Sequence, residues 1–94
     1  MQEQHPTVLL VDDEPDILTL LELTLDRMGL GCHKAVTLAD ARLLLARHRY
    51  ALCLTDMRLP DGNGIDLVRE IATLGTHLPV AVITVAICRL SSIT

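Results

Sequence analysis

Residues 8–11 (VLLV), 51–54 (ALCL) and 80–83 (VAVI) are unbroken apolar runs, each too short for a helix. The stretches between them place apolar residues three and four apart. Continuous rather than alternating hydrophobicity marks a strand covered on both faces, as in a parallel sheet. A helical stripe after each strand supplies the cover, so the pattern predicts an α/β fold: a doubly wound parallel sheet with short connections. Right-handed crossovers leave few topologies for it.

Local signals set the expected boundaries. The first strand is TVLLV. Pro15 suits a first helical turn and Asp16 complements its positive dipole end. Leu18, Leu21, Leu25 and Met28 form the stripe, and Gly29 stops the helix. CHKAV, residues 32–36, is more polar and suits a sheet edge. Thr37 and Asp40 have capping-box spacing, ahead of a second stripe of Leu38, Ala41, Leu44 and Leu45 that ends near His48. YALCLTD makes the third strand. LPDGNG is a turn in which Pro60 fixes one dihedral and Gly62 tolerates positive φ. Asn63 is placed to cap a third helix bearing Leu67, Val68, Ile71 and Leu74, with Gly75 as its end. PVAVIT is the fourth strand.

The strands end on polar groups. VLLV runs into Asp12, Asp13 and Glu14, the third strand into Asp56, and the fourth into Thr84. In a parallel sheet these ends share one edge, where doubly wound folds bind ligands at the reversal of strand order. At an effective dielectric of about 20 and a separation of about 5 Å, two carboxylates repel by roughly 3 kcal/mol. Acids gathered there need a partner, most simply a hard cation such as Mg²⁺, which takes carboxylate oxygens, waters and phosphate. Glu14 is expected to be a solvated first-turn acid.

The 94 residues predict one domain, residues 1–94. The net charge is −4 and no stretch is strongly basic, which argues against direct nucleic-acid contact. No apolar run reaches 18 residues, and MQEQHP lacks the regions of a signal peptide. Cys32, Cys53 and Cys88 are odd in number and lack CxxC spacing, which predicts reduced thiols and a cytoplasmic protein. Cys53 belongs to the core. His5, His33, His48 and His77 show no ligand spacing and are expected at the surface.

With VLLVDDEPD, LTDMRLPDGNGIDL and PVAVIT in this order and spacing, residues 7–84 resemble the receiver domain of two-component response regulators. The resemblance implies a flavodoxin-like sheet of order 2-1-3-4-5. It implies that Asp56 accepts a phosphoryl group from a sensor histidine kinase and that Asp13 ligates Mg²⁺, with Asp12 helping directly or through water. It also implies a metal contact from the Arg58 backbone carbonyl and a phosphoryl contact from the Thr84 hydroxyl. DMRLPDGNGIDL further resembles receivers joined to an ATPase that activates transcription with sigma-54.

The C-terminal segment departs from that pattern. The family's small residue after the strand-four threonine is Val85 here, and TVAICRLSSIT carries no helical stripe. The expected sheet is therefore 2-1-3-4, without the fifth strand and last helices, and residues 85–94 form a non-matching tail of a truncated receiver. Lys34 is the sole lysine and belongs to strand two, so it cannot stand for the family's strand-five lysine; Tyr50 precedes strand three and does not match its aromatic switch residue. An uncovered strand-four edge, apolar and uncharged, would favour homo-oligomers. Two other functions fit the acids: an Mg²⁺-dependent phosphatase with an aspartate nucleophile, and a receiver-like interaction module that is not phosphorylated.

Overall fold

All three apolar runs become strands, but only residues 8–11 are buried on both faces; residues 52–56 alternate between half-buried and buried, and residues 80–83 are half-buried with Ala81 exposed, short of the two-sided cover expected for them. The computed structural model describes residues 6–75 and 77–83. In chain order the elements are β1 (Thr7–Val11), α1 (Pro15–Arg27), β2 (Gly31–Ala35), α2 (Leu38–Arg47), β3 (Leu52–Asp56), β4 (Arg58–Leu59), β5 (Gly62–Asn63), α3 (Gly64–Thr73) and β6 (Val80–Ile83). The main sheet has the order β2-β1-β3-β6 with every pair parallel, which is the expected 2-1-3-4 arrangement.

Alternate β1 side chains face opposite ways and meet different partners. Val8 and Leu10 pack with Leu18 and Leu25 of α1. Leu9 and Val11 join Ala35, Cys53, Leu38 and Ala41 of α2, and Leu67 and Ile71 of α3, on the other face. The sheet is thus doubly wound, and Cys53 is a core residue as expected. Burial holds its thiol protonated, with the pKa pushed up to about 12. Among the described residues β6 pairs only with β3 and forms the sheet edge.

Three boundary expectations are corrected. α1 stops at Arg27, so Met28 is its cap and stands exposed rather than closing the stripe. Gly29 follows with φ 79°, and Leu30 N–H bonds the Leu25 carbonyl, a left-handed termination that glycine favours. α3 ends at Thr73, which likewise leaves Leu74 exposed. β2 lies one residue earlier than expected, at Gly31–Ala35, and Val36 falls outside it.

Capping also differs between helices. Thr37 Oγ1 accepts from Asp40 N–H at 3.0 Å, as its spacing predicts. Asn63 occupies the α3 cap position, but its side chain makes no cap bond. LPDGNG forms a small hairpin, β4 paired antiparallel with β5 around Pro60 and Asp61, and Gly62 has φ 154°. Among the described residues, no helix is long and apolar enough to cross a membrane.

Candidate functional site

β1 and β3 are neighbours in the sheet, although β2 intervenes in the chain. Val11 stands level with Thr55, so Asp12 and Asp56 emerge together at the carboxyl edge. The chain leaves β1 toward β2 and returns across to β3, which opens a crevice there. Asp12, Asp13 and Asp56 converge in it, each offering one oxygen within 4.8 Å of the others.

The three acids are held differently. Asp12 is only 1% exposed, and its N–H is fixed by the Ala35 carbonyl at 3.0 Å. Its Oδ1 accepts from Glu14 N–H at 2.9 Å, whereas its Oδ2 is buried with no hydrogen-bond partner among the described residues. Burial raises the Asp12 pKa, partly opposed by the Glu14 hydrogen bond, and the neighbouring Asp56, Asp13 and Glu14 charges add to the rise. Asp13 is exposed, and Asp56 is half-buried with Oδ1 accepting from Met57 N–H at 2.8 Å. A buried carboxylate oxygen without a donor is costly unless a cation meets it. The donor set is entirely hard oxygen and fits Mg²⁺.

Glu14 is exposed at the head of α1, as expected, and contributes only its backbone N–H. Arg58 opens β4 two residues beyond Asp56 with its side chain in solvent. Thr84 lies outside the described residues; Ile83, just before it, stands level with Asp56. Lys34 is on the α1 side, paired with Glu22 at 2.8 Å, away from the crevice.

Sequence reasoning missed the groups that position Asp56. Thr55 is fully buried and donates its hydroxyl to the Asp56 carbonyl at 3.1 Å. Gly64 N–H donates to the Met57 carbonyl at 2.8 Å, which brings the head of α3 against the end of β3. A Cβ on Gly64 would overlap the Asp56 carbonyl oxygen and meet Thr55 Oγ1 at 3.0 Å. Only glycine permits that approach.

Asp61, at the hairpin tip, accepts from Leu38 N–H at 2.8 Å and Ala39 N–H at 3.0 Å. It caps a helix more than twenty residues earlier in the chain, which no local motif announces. These backbone donors lower its pKa below the ordinary 3.8, aided by Arg42 and opposed by desolvation. The resulting stability is present above pH 3.8 and is lost as pH falls through the lowered folded pKa. Asp61→Ala is expected to lower the melting temperature at neutral pH and to speed hydrogen exchange at Leu38 and Ala39. The deficit should shrink in acid; a constant deficit would contradict the ionised cap.

A flavodoxin-like sheet with an acidic crevice at its switch point defines the receiver class of signalling domain. Residues 8–89 match the response regulator receiver domain family, and the chain belongs to that family. It is 58% identical over 76 residues to the response regulator protein PilR of Pseudomonas aeruginosa, covering 81% of this chain and 17% of PilR. It is 32% identical over 83 residues to the alginate biosynthesis transcriptional regulatory protein AlgB of Pseudomonas putida, covering 88% of this chain and 18% of AlgB. The chain thus spans less than a fifth of these relatives.

Among solved structures, the MaeR response regulator bound to beryllium trifluoride superposes with a TM-score of 0.79 at 33% identity, over 84% of this chain and 66% of that one. TrrA of Thermotoga maritima, in complex with Mg²⁺ and beryllium fluoride, gives 0.81 at 26% identity, over 85% and 70%. The chain is therefore a two-component receiver domain, a signalling module of a family whose function is to accept phosphoryl groups.

Proposed function

We propose that Asp56 is the phosphoacceptor of this receiver and that Asp12, Asp13, Asp56 and the Arg58 backbone carbonyl hold Mg²⁺. The convergence of the three acids, with the orphaned Asp12 oxygen among them, carries this reading. An Asp56 carboxylate oxygen attacks the phosphorus of a phosphohistidine on a sensor kinase. The new P–O bond forms in line as the P–N bond breaks, and its electron pair stays on the imidazole, which takes up a proton. Bound Mg²⁺ supplies charge neutralisation for the phosphoryl oxygens. Asp12 and Asp13 hold the charge that attracts the cation, while the Met57 N–H bond orients the Asp56 carboxylate. The Thr84 hydroxyl is assigned a contact to a phosphoryl oxygen.

The domain modifies itself and does not turn over substrate. In the proposal, residues 1–94 form one receiver unit and residues 85–94 are its divergent tail, although the family match continues to residue 89. The unit works in the cytoplasm within a transcriptional regulator, and the resemblance to sigma-54 activator receivers assigns an ATPase output. It touches no nucleic acid or membrane itself, and copies associate through the β6 edge.

Acetyl phosphate with Mg²⁺ is expected to add one phosphoryl group per chain, mapped to Asp56 by mass spectrometry after borohydride trapping. The reaction should be slow, because no lysine other than Lys34 is present and a charged hydrogen bond of that kind contributes about 1.5–3 kcal/mol. Chelator or Asp56→Ala should abolish it. Labelling that survives Asp56→Ala would refute the assignment, and steady turnover of a phosphomonoester would favour the phosphatase.

A further inference from the structure

The fold builds a second concavity at the opposite, amino-terminal edge of the sheet. The end of α2 and the start of β3 form one wall, and Leu74, His77, Leu78 and Pro79 form the other. Its volume is about 790 Å³, within the ~300–1,000 Å³ usual for small-molecule sites. It lies a strand length, roughly 15 Å, from the acidic crevice.

The lining is chemically polarised. Leu45, Leu74 and Leu78 provide apolar surface. Arg47, Arg49, His48 and His77 provide the polar lining, and among the described residues no carboxylate contributes. The two arginines have no ion-pair partner among the described residues, whereas Lys34 and Arg42 are both paired. Arg47 also complements the C-terminal dipole of α2, but that role does not account for Arg49 or His77, which lie outside the helix.

One wall is braced from behind. The Tyr50 hydroxyl lies 2.7 Å from His33 Nδ1 on the edge strand β2. His48 meets His33 edge-on, with ring centroids 4.7 Å apart. Desolvation raises the Tyr50 pKa, so its hydroxyl stays neutral. The three rings fix the α2–β3 connection that carries Arg47 and Arg49.

We infer that this groove binds a small organic anion: a carboxylate or phosphate monoester head placed against Arg47 and Arg49, with an apolar body lying on Leu45, Leu74 and Leu78. Such a ligand matches both the unpaired positive charge and the apolar floor in a chain whose net charge is −4. The inference is independent of the chemistry at Asp56.

The test is titration of the 94-residue chain, followed by amide NMR, with octanoate, inorganic phosphate and 1-octanol. Octanoate is expected to shift residues 45–51 and 77–79 saturably in the millimolar range and to leave residues 12–14 and 56 unmoved. Phosphate and octanol, each carrying half of the recognition, should bind far more weakly. The exposed double substitution Arg47→Gln with Arg49→Gln should weaken octanoate about tenfold, equivalent to about 1.4 kcal/mol. Arg27→Gln, on α1 across the sheet, should not. Phosphate binding as tightly as octanoate would reduce the groove to a cluster of charge and overturn the inference. So would octanoate shifts that do not saturate, or equal affinities for the double variant and Arg27→Gln.

Discussion

Gly64→Ala is expected to destabilise the domain by about 3 kcal/mol, the upper range for overpacking a site that cannot relax. The added methyl would meet the Asp56 carbonyl oxygen and Thr55 Oγ1, not a flexible side-chain end. Both belong to the buried end of β3, which β1 and β6 hold from either side. α3 must therefore move outward, breaking the bond from Gly64 N–H to the Met57 carbonyl and drawing Leu67 and Ile71 from the core. Urea denaturation gives the direct measure. Ile65→Ala, at an exposed neighbouring position, serves as the comparison and should shift the midpoint little. Equal midpoints for the two variants would mean that the head of α3 does not press on β3.

The second large effect concerns Asp12 and changes sign with metal. In chelator, Asp12→Asn is expected to stabilise the protein by about 2 kcal/mol, a part of the pairwise repulsion that remains after screening. Asparagine keeps an acceptor for Glu14 N–H and places a donor where Oδ2 is orphaned. In Mg²⁺ the order reverses. With Asp12 a ligand as proposed, wild type should gain about 2.7 kcal/mol at a hundredfold excess over Kd, and the variant should gain little. The pH dependence follows from the raised Asp12 pKa. The native state holds the proton more tightly than the unfolded state, so metal-free stability falls as pH rises from 3.8 through the folded pKa. Mg²⁺ should restore it above that range. Thermal unfolding with EDTA and with Mg²⁺ tests both parts, and a less stable Asp12→Asn in EDTA would contradict the proposed strain.

Both helical layers were legible because each rests on a local pattern, whereas the strand order came from the family resemblance. Unbroken VLLV needs cover on two faces, and the Leu18, Leu25 and Leu67, Ile71 spacings provide it. Helix ends were less legible: Met28 and Leu74 continue their stripes in sequence, but Gly29 and Gly75, both at positive φ, turn the chain away just beyond them. Asp12, Asp13 and Asp56 could be brought together from topology alone. Their relative burial could not, and the resemblance gave Asp13 first place where the structure buries Asp12. The Asp61 cap on α2 and the His33–Tyr50 contact link distant segments through side chains, so no sequence window contains them. The basic groove escaped notice for the same reason, since His77 joins Arg47 and Arg49 only after α3 has folded back.

The pairing of β1 with β3 also bears on the speed of folding. Residue 8 aligns with residue 52, so this ladder closes a far longer loop than β1 with β2, where residue 8 aligns with residue 32. Longer loops cost more entropy to close, and non-local pairings slow folding. Asp12 and Asp13 lie in the chain between the two strands of the shorter ladder, and Asp56 meets them only when the longer loop shuts. Repulsion among the carboxylates then opposes that closing step, while the apolar contacts of Leu9 and Val11 with Cys53 favour it. Divalent cation present during folding would lower the barrier itself, so the magnesium content of the refolding buffer should set the speed at which this chain becomes native as well as its final stability.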